Sequence, residues 1–171
     1  MGVQSASGAE AERHNEMTLA GLRPGLSKVS TTTRVPELGD PSSSPTGFVW
    51  SNHCVDRILS VEIDDAHVVQ TVTASTQGSR SITDCAGQLN ERLLADLKTG
   101  RGLELGDLCQ RTEKLYGNPE SRSPSVSGTR KLELLFYSFD WAGEEVPQST
   151  EVSCDAVSHR VVEIALAFQS L

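Results

Sequence analysis

His53-Cys54, followed by Asp56, is the one constellation in the chain suited to nucleophilic chemistry: a thiol beside an imidazole base, with a carboxylate close by. The plainer reading is a loop leading into a strand, with Cys54 buried. It carries more weight, because side chains adjacent in sequence point to opposite faces of a strand. Gly100, Gly102 and Gly106 superficially suggest a dinucleotide loop. That fingerprint needs GxGxxG after a strand, whereas here the spacing differs and a helix is expected before it. The chain has no GxSxG elbow and no HExxH motif. His67 and His159 fall at corresponding hairpin turns, and neither has a second ligand beside it. Asp64-Asp65 and Glu144-Glu145 are adjacent carboxylates in turns, where such groups are usually solvated. No catalytic, cofactor-binding or metal-binding residue is assigned.

The four cysteines are Cys54, Cys85, Cys109 and Cys154. They are widely spaced and form no CxxC, which argues against zinc and against a thioredoxin-type pair. Either they are buried thiols acting as small hydrophobes, or they form two disulfides, for which three connectivities are open.

These residues must be held by a chain of 171 residues, enough for one domain or two small ones. The formal net charge is −8, with no basic tract, so a phosphate backbone is repelled and nucleic acid is excluded as a partner. No apolar run approaches the length of a membrane span. Residues 1–17 are small, polar and charged and lack the apolar core of a signal peptide. A cytoplasmic chain is implied if this N-terminus is native, and an exported or periplasmic one if it is the start of a processed chain.

The organising stretch is Thr99–Glu120, TGRGLELGDLCQRTEKLYGNPE. It reads as a glycine loop, a helix capped by Asp107, and a stop at Gly117 before Pro119. Leu108, Thr112 and Leu115 share one side of that helix. A second version precedes it: Gly21–Gly25 matches the GLxxG of Gly102–Gly106, and Gly39-Asp40-Pro41 matches Gly117-Asn118-Pro119. Each then passes a Ser/Pro-rich loop and enters strands. VVQTVTA at 68–74 aligns with VVEIALA at 161–167 without a gap. The offsets are 81 residues at GLxxG, 78 at GxP and 93 at the last strand, which points to an internal repeat.

Leu59, Val61 and Ile63 alternate with Ser60 and Glu62, the pattern of a half-buried strand, and Asp64–His67 turns it back. Val152 and Cys154 lead likewise into a turn at Ala156–His159. In Lys131–Asp140, Leu132, Leu134 and Phe136 can face the core, while Glu133, Leu135 and Tyr137 face out or meet the other copy. Cys85, Leu89, Leu93 and Leu97 recur every four residues in Thr83–Lys98, an amphipathic helix between the copies. The Ser27–Leu38 window carries a threonine run and Pro36, so its helix should be short or broken. The expected fold is α+β: two copies of a helix-loop and three-stranded antiparallel sheet, joined by an amphipathic helix. Residues 1–18 would be a disordered tail, 19–79 the first repeat, and 80–171 the linking helix and second repeat.

GLxxG, short helix, GxP and antiparallel strands, twice over, resemble the β-lactamase-inhibitor-protein-like superfamily, whose single-copy relatives include small outer-membrane assembly lipoproteins. The resemblance spans about residues 19–171, although Pro36 disrupts the first helix and no lipobox cysteine is present. It implies helices on a curved antiparallel sheet and activity through protein–protein contact, not chemistry. The expected function is therefore non-enzymatic binding of a protein partner, without a cofactor. Trp50, Tyr137, Phe139 and Trp141 are the candidate contact residues, because aromatics anchor interfaces. The alternative is a small hydrolase built on the Cys54/His53 pair.

Overall fold

Alternating strands dominate the molecule. The computed structural model describes residues 12–35, 38–76 and 97–169. They form one eight-stranded antiparallel sheet. The strands are β1 (Ser42–Ser43), β2 (Gly47–Asn52), β3 (Arg57–Ile63), β4 (Val69–Ser75), β5 (Ser121–Ser127), β6 (Arg130–Ser138), β7 (Ser149–Asp155) and β8 (Val161–Ala167). Their order is β1-β2-β3-β4-β8-β7-β6-β5, two four-strand meanders joined where β4 pairs antiparallel with β8. The one α-helix among the described residues, α1, is Gln110–Tyr116.

Register explains which side chains are buried. Residues directly opposite in adjacent antiparallel strands share a face. Trp50, Leu59, Ala74, Ile164, Val152 and Leu135 are opposite one another in turn across six strands, and all are fully buried. A second buried row runs Phe48, Val61, Val72, Leu166, Thr150 and Tyr137. Burying a side chain of Leu or Ile size stabilises by roughly 1.5–3 kcal/mol, so these rows dominate the fold's energetics.

The layer over that face is mostly irregular. It supplies Leu19, Val29, Leu38, Leu97, Leu103 and Tyr116 to the core. Glycine turns shape it: Leu19 and Leu22 exchange backbone hydrogen bonds of 3.0 and 2.9 Å around Ala20 and Gly21, both with positive φ. The buried Glu16 carboxylate ties the layer together. It accepts hydrogen bonds from the backbone N–H groups of Met17 (2.8 Å), Gly100 (3.1 Å) and Arg101 (3.1 Å), and from the Tyr116 hydroxyl (2.6 Å). Burial, then the adjacent Glu16 charge, raises the Tyr116 pKa well above its ordinary value. The Cys109–Cys154 disulfide pins the start of α1 to β7. Closing a loop of 45 residues is worth on the order of 4 kcal/mol in chain-entropy terms.

Several expectations are corrected. The architecture is nearly all-β, not α+β, and a repeated helix-loop and three-stranded unit is not what the chain builds. Each meander has four strands, and α1 has no helical counterpart among the described residues before β1. Ser27–Val35 instead turns and bridges, Lys28 to Val68 and Val35 to Gly39, while residues 36–37 of the expected helix window lie outside the described residues. At seven residues α1 is too short to stand without tertiary support. Its N-cap is Cys109, and Asp107 turns the preceding loop by accepting from the Glu104 N–H at 2.9 Å. The expected Thr83–Lys98 helix lies outside the described residues except for Leu97 and Lys98. Residues 1–11 of the expected tail are also outside them, but residues 12–18 are docked through Glu16. The Ser/Pro-rich 121–127 stretch, read as a loop, is the exposed edge strand β5.

The β6 faces are reversed. Leu135 and Tyr137 are core residues, while Leu134 and Phe136 are half-buried on the other side. Both faces of β6 are apolar, so alternation alone favoured the wrong one. The hairpin turns are as read. Asp64 accepts from the Ala66 and Val68 N–H groups, and Asp155 from those of Val157 and Ser158. His67 and His159 close these turns with positive φ. Gly117 ends α1 at φ 85°, ψ −163°, a region open essentially to glycine alone.

Two substitutions test this construction. Glu16→Ala should cost about 3 kcal/mol in denaturant unfolding, because it leaves buried donors unpaired. The exposed Glu12→Ala should cost less than about 0.5 kcal/mol. Gly117→Val should cost roughly 1–3 kcal/mol by the same measurement, through backbone strain.

Candidate interaction surface

Among the described residues, the side chains singled out as suited to chemistry are not brought together in one place. Cys54 lies in the β2–β3 connection with its Sγ 3.7 Å from His53 Nε2, but the sulfur is committed to a disulfide and offers no thiolate. None of the described cysteines is free. The N–H groups of Gly100 and Arg101, in the glycine loop, are occupied by Glu16. His67 and His159 stand on opposite meanders as turn residues. Asp64 is spent on its own turn, and the Glu145 carbonyl accepts from Arg23 at 3.0 Å. Among the described residues no three His, Cys, Asp or Glu side chains gather as a metal site would require.

The four aromatic candidates separate. Trp50, Tyr137 and Phe139 are buried, whereas Trp141 is 58% exposed. Trp50 donates its indole N–H to the Thr33 carbonyl at 3.0 Å, and Tyr137 its hydroxyl to the Gly117 carbonyl at 2.9 Å. Burial pushes the Tyr137 pKa up to about 12. Tyr116, Tyr137, Phe139 and Trp141 follow one another at ring separations of 5.7, 6.2 and 6.2 Å, so Trp141 is the outer end of a core stack. Trp50 and Tyr137 share the core face because their register partners Leu59 and Thr150 are buried there. An outward strand face with all four is therefore not present.

The outward face that does exist carries different residues. Its central row reads Val49, Ser60, Thr73, Ala165, Glu151 and Phe136, each opposite the next. The row on one side contains Glu62, Thr71, Ala167 and Ser149. The row on the other contains Ile58, Ser75, Glu163, Ser153 and Leu134. Small side chains at the middle leave a shallow depression of about 300 Å³, lined by residues of β3, β4, β7 and β8. Half-buried Val49 and Ile58 rise on one flank, Leu134 and Phe136 on the other.

Glu62, Glu151 and Glu163 are the charges on these rows, and none is in an ion pair among the described residues. Glu151 is opposite Ala165, two residues along β8 from Glu163. Diagonal neighbours of this kind stand roughly 7–8 Å apart. Desolvation against the sheet, then repulsion from Glu151, raises the Glu163 pKa above its ordinary value. Sequence reading overlooked this surface. Its signal was the outward set of each alternating strand, such as Ser60 and Glu62, but only strand register unites Glu62 with Glu151 and Glu163.

No protein family, no curated protein and no solved structure matches the chain. Its surface chemistry must be read from the molecule itself. No helix among the described residues is long and apolar enough to cross a membrane.

The raised Glu163 pKa has a definite sign. The folded state holds that proton more tightly than the unfolded chain, so stability is lost as pH rises through the ordinary carboxylate range and beyond. Glu163→Gln should therefore raise Tm at pH 7, and the gain should vanish at a pH where the carboxyl is protonated in both states. Thermal melts of both proteins across acidic to neutral pH measure it.

Proposed function

We propose that the chain works by binding another protein through the open face of its sheet, and not by catalysis. The supporting observation is the composition of that face. An antiparallel surface has small residues at its centre, some of them buried between their neighbours, half-buried apolar residues on two flanks, and a depression of about 300 Å³ between them. A sheet face is rigid, so docking on it costs little ordering of the binder. The Leu134 and Phe136 side chains supply apolar contact that a partner would remove from water. The resemblance of the GLxxG and GxP stretches to the inhibitor-like superfamily points the same way, without identifying a target. A hydrolase centred on Cys54 would lack its nucleophile. The net charge of −8 disfavours nucleic acid as the partner. The Cys109–Cys154 disulfide favours an oxidising compartment.

Site-specific photocrosslinking tests this reading. A crosslinking residue at Thr73 should yield a discrete protein adduct in the native extract, and one at exposed Leu26 should not. Ala165→Trp, which fills the depression, should abolish the Thr73 adduct while leaving the melting curve cooperative. An adduct insensitive to Ala165→Trp, or formed equally from Leu26, would overturn it.

A further inference from the structure

We propose that the open face receives an arginine side chain from its protein partner, seated between Glu151 and Glu163 and flanked by apolar residues that rest on Leu134 and Phe136. This inference rests on the binding role assigned to that face and adds the chemistry of the occupant.

Charge complementarity carries it. The three rows hold three carboxylates and no lysine or arginine. Arg130, at the start of β6, is the described cation whose partners lie on neighbouring strands of this half of the sheet. It is already engaged by Asp155 at 3.7 Å and by the Thr76 carbonyl at 3.1 Å. Nothing described neutralises Glu151 or Glu163, which repel each other across the β7–β8 ladder. A cation placed between them converts that repulsion into two attractions.

Shape selects the kind of cation. Ala165, opposite Glu151 and two residues along β8 from Glu163, leaves room above the sheet, as do Thr73 and Ser60 beside it. A long side chain can lie along such a depression with its head group between the carboxylates. A guanidinium presents five donors in a planar fork and can bridge two carboxylates at once, which a point ammonium does less well. Its weaker hydration also lowers the cost of bringing it to a partly desolvated surface. The half-buried Leu134 and Phe136 lie next to this position, through Ser153 and Glu151 respectively, and offer apolar contact to the residues flanking the arginine.

The test uses the full chain, isotopically labelled, and two probe peptides: N-acetyl-Leu-Arg-Phe-amide and its neutral citrulline counterpart. NMR titration at low ionic strength should show amide shifts centred on Ser60, Thr73, Glu151 and Glu163 with the arginine peptide. Citrulline should weaken the apparent affinity about tenfold, the worth of one charge-assisted contact. The Glu151→Gln/Glu163→Gln double variant should lose a similar factor toward the arginine peptide, and Asp65→Asn, on an exposed turn, should lose none. Equal binding of both peptides on this face would overturn the arginine proposal while leaving the face as a binding surface. Shifts mapping elsewhere, or none, would also overturn the proposal; the crosslinking experiment decides the binding role separately.

Discussion

The ladder between β4 and β8, Thr71–Ser75 against Glu163–Ala167, is the contact on which the rest of the molecule depends. Each meander alone would be a four-stranded sheet with one apolar face and two open edges, too small to bury that face well. Joined antiparallel, they make a buried row that runs without interruption from Trp50 to Leu135. The seam also sets Ala165 opposite Thr73 and so forms the floor of the open face. One hydrogen-bonded ladder thus determines both the core and the candidate binding surface, on its two sides.

Covering the core with irregular backbone raises a polar-satisfaction problem, since loops carry N–H groups that helices would pair internally. Glu16 answers much of it. A buried carboxylate is costly alone, but four backbone N–H groups and a tyrosine hydroxyl converge on it. The same contacts fasten the N-terminal segment to the glycine loop more than eighty residues away. The edges of the sheet are managed separately. β1 has only two residues, and β5 carries Arg122 and Pro124 and is exposed throughout. Arg122 reaches across to Glu113 on α1 and to Glu133 on β6.

The open face differs in kind from the core face of the same strands. Where the core alternates large aliphatic and aromatic residues, the open side places alanine, serine and threonine at its centre and moves its larger residues outward. Such a surface would cost little to leave in water and still offers apolar flanks. Burial against the sheet and repulsion from Glu151 both disfavour the charged form of Glu163, a local destabilisation.

Much of the strand layout is legible in the sequence alone. Alternation in Leu59–Ile63, the VVQTVTA and VVEIALA runs, and the Asp and His residues of two turns located β3, β4, β8 and their hairpins to within a few residues. Gly117 was readable as a helix stop because its backbone requirement is local. These features depend on residues near one another in the chain, and local sterics decide them. Tertiary structure alone decided the rest. Period-2 patterning says that faces alternate but not which face is covered, so Leu135 and Tyr137, not Leu134 and Phe136, lie in the main core of β6, and Trp50 went inward. The 121–127 stretch became a strand because β6 offered it a ladder, against its own Ser/Pro composition. Glu16 became a core residue through donors supplied by residues 99–116. Glu62, Glu151 and Glu163 became one surface only through register across β3, β4, β8 and β7, since partners distant in the chain leave no mark on the local pattern of either.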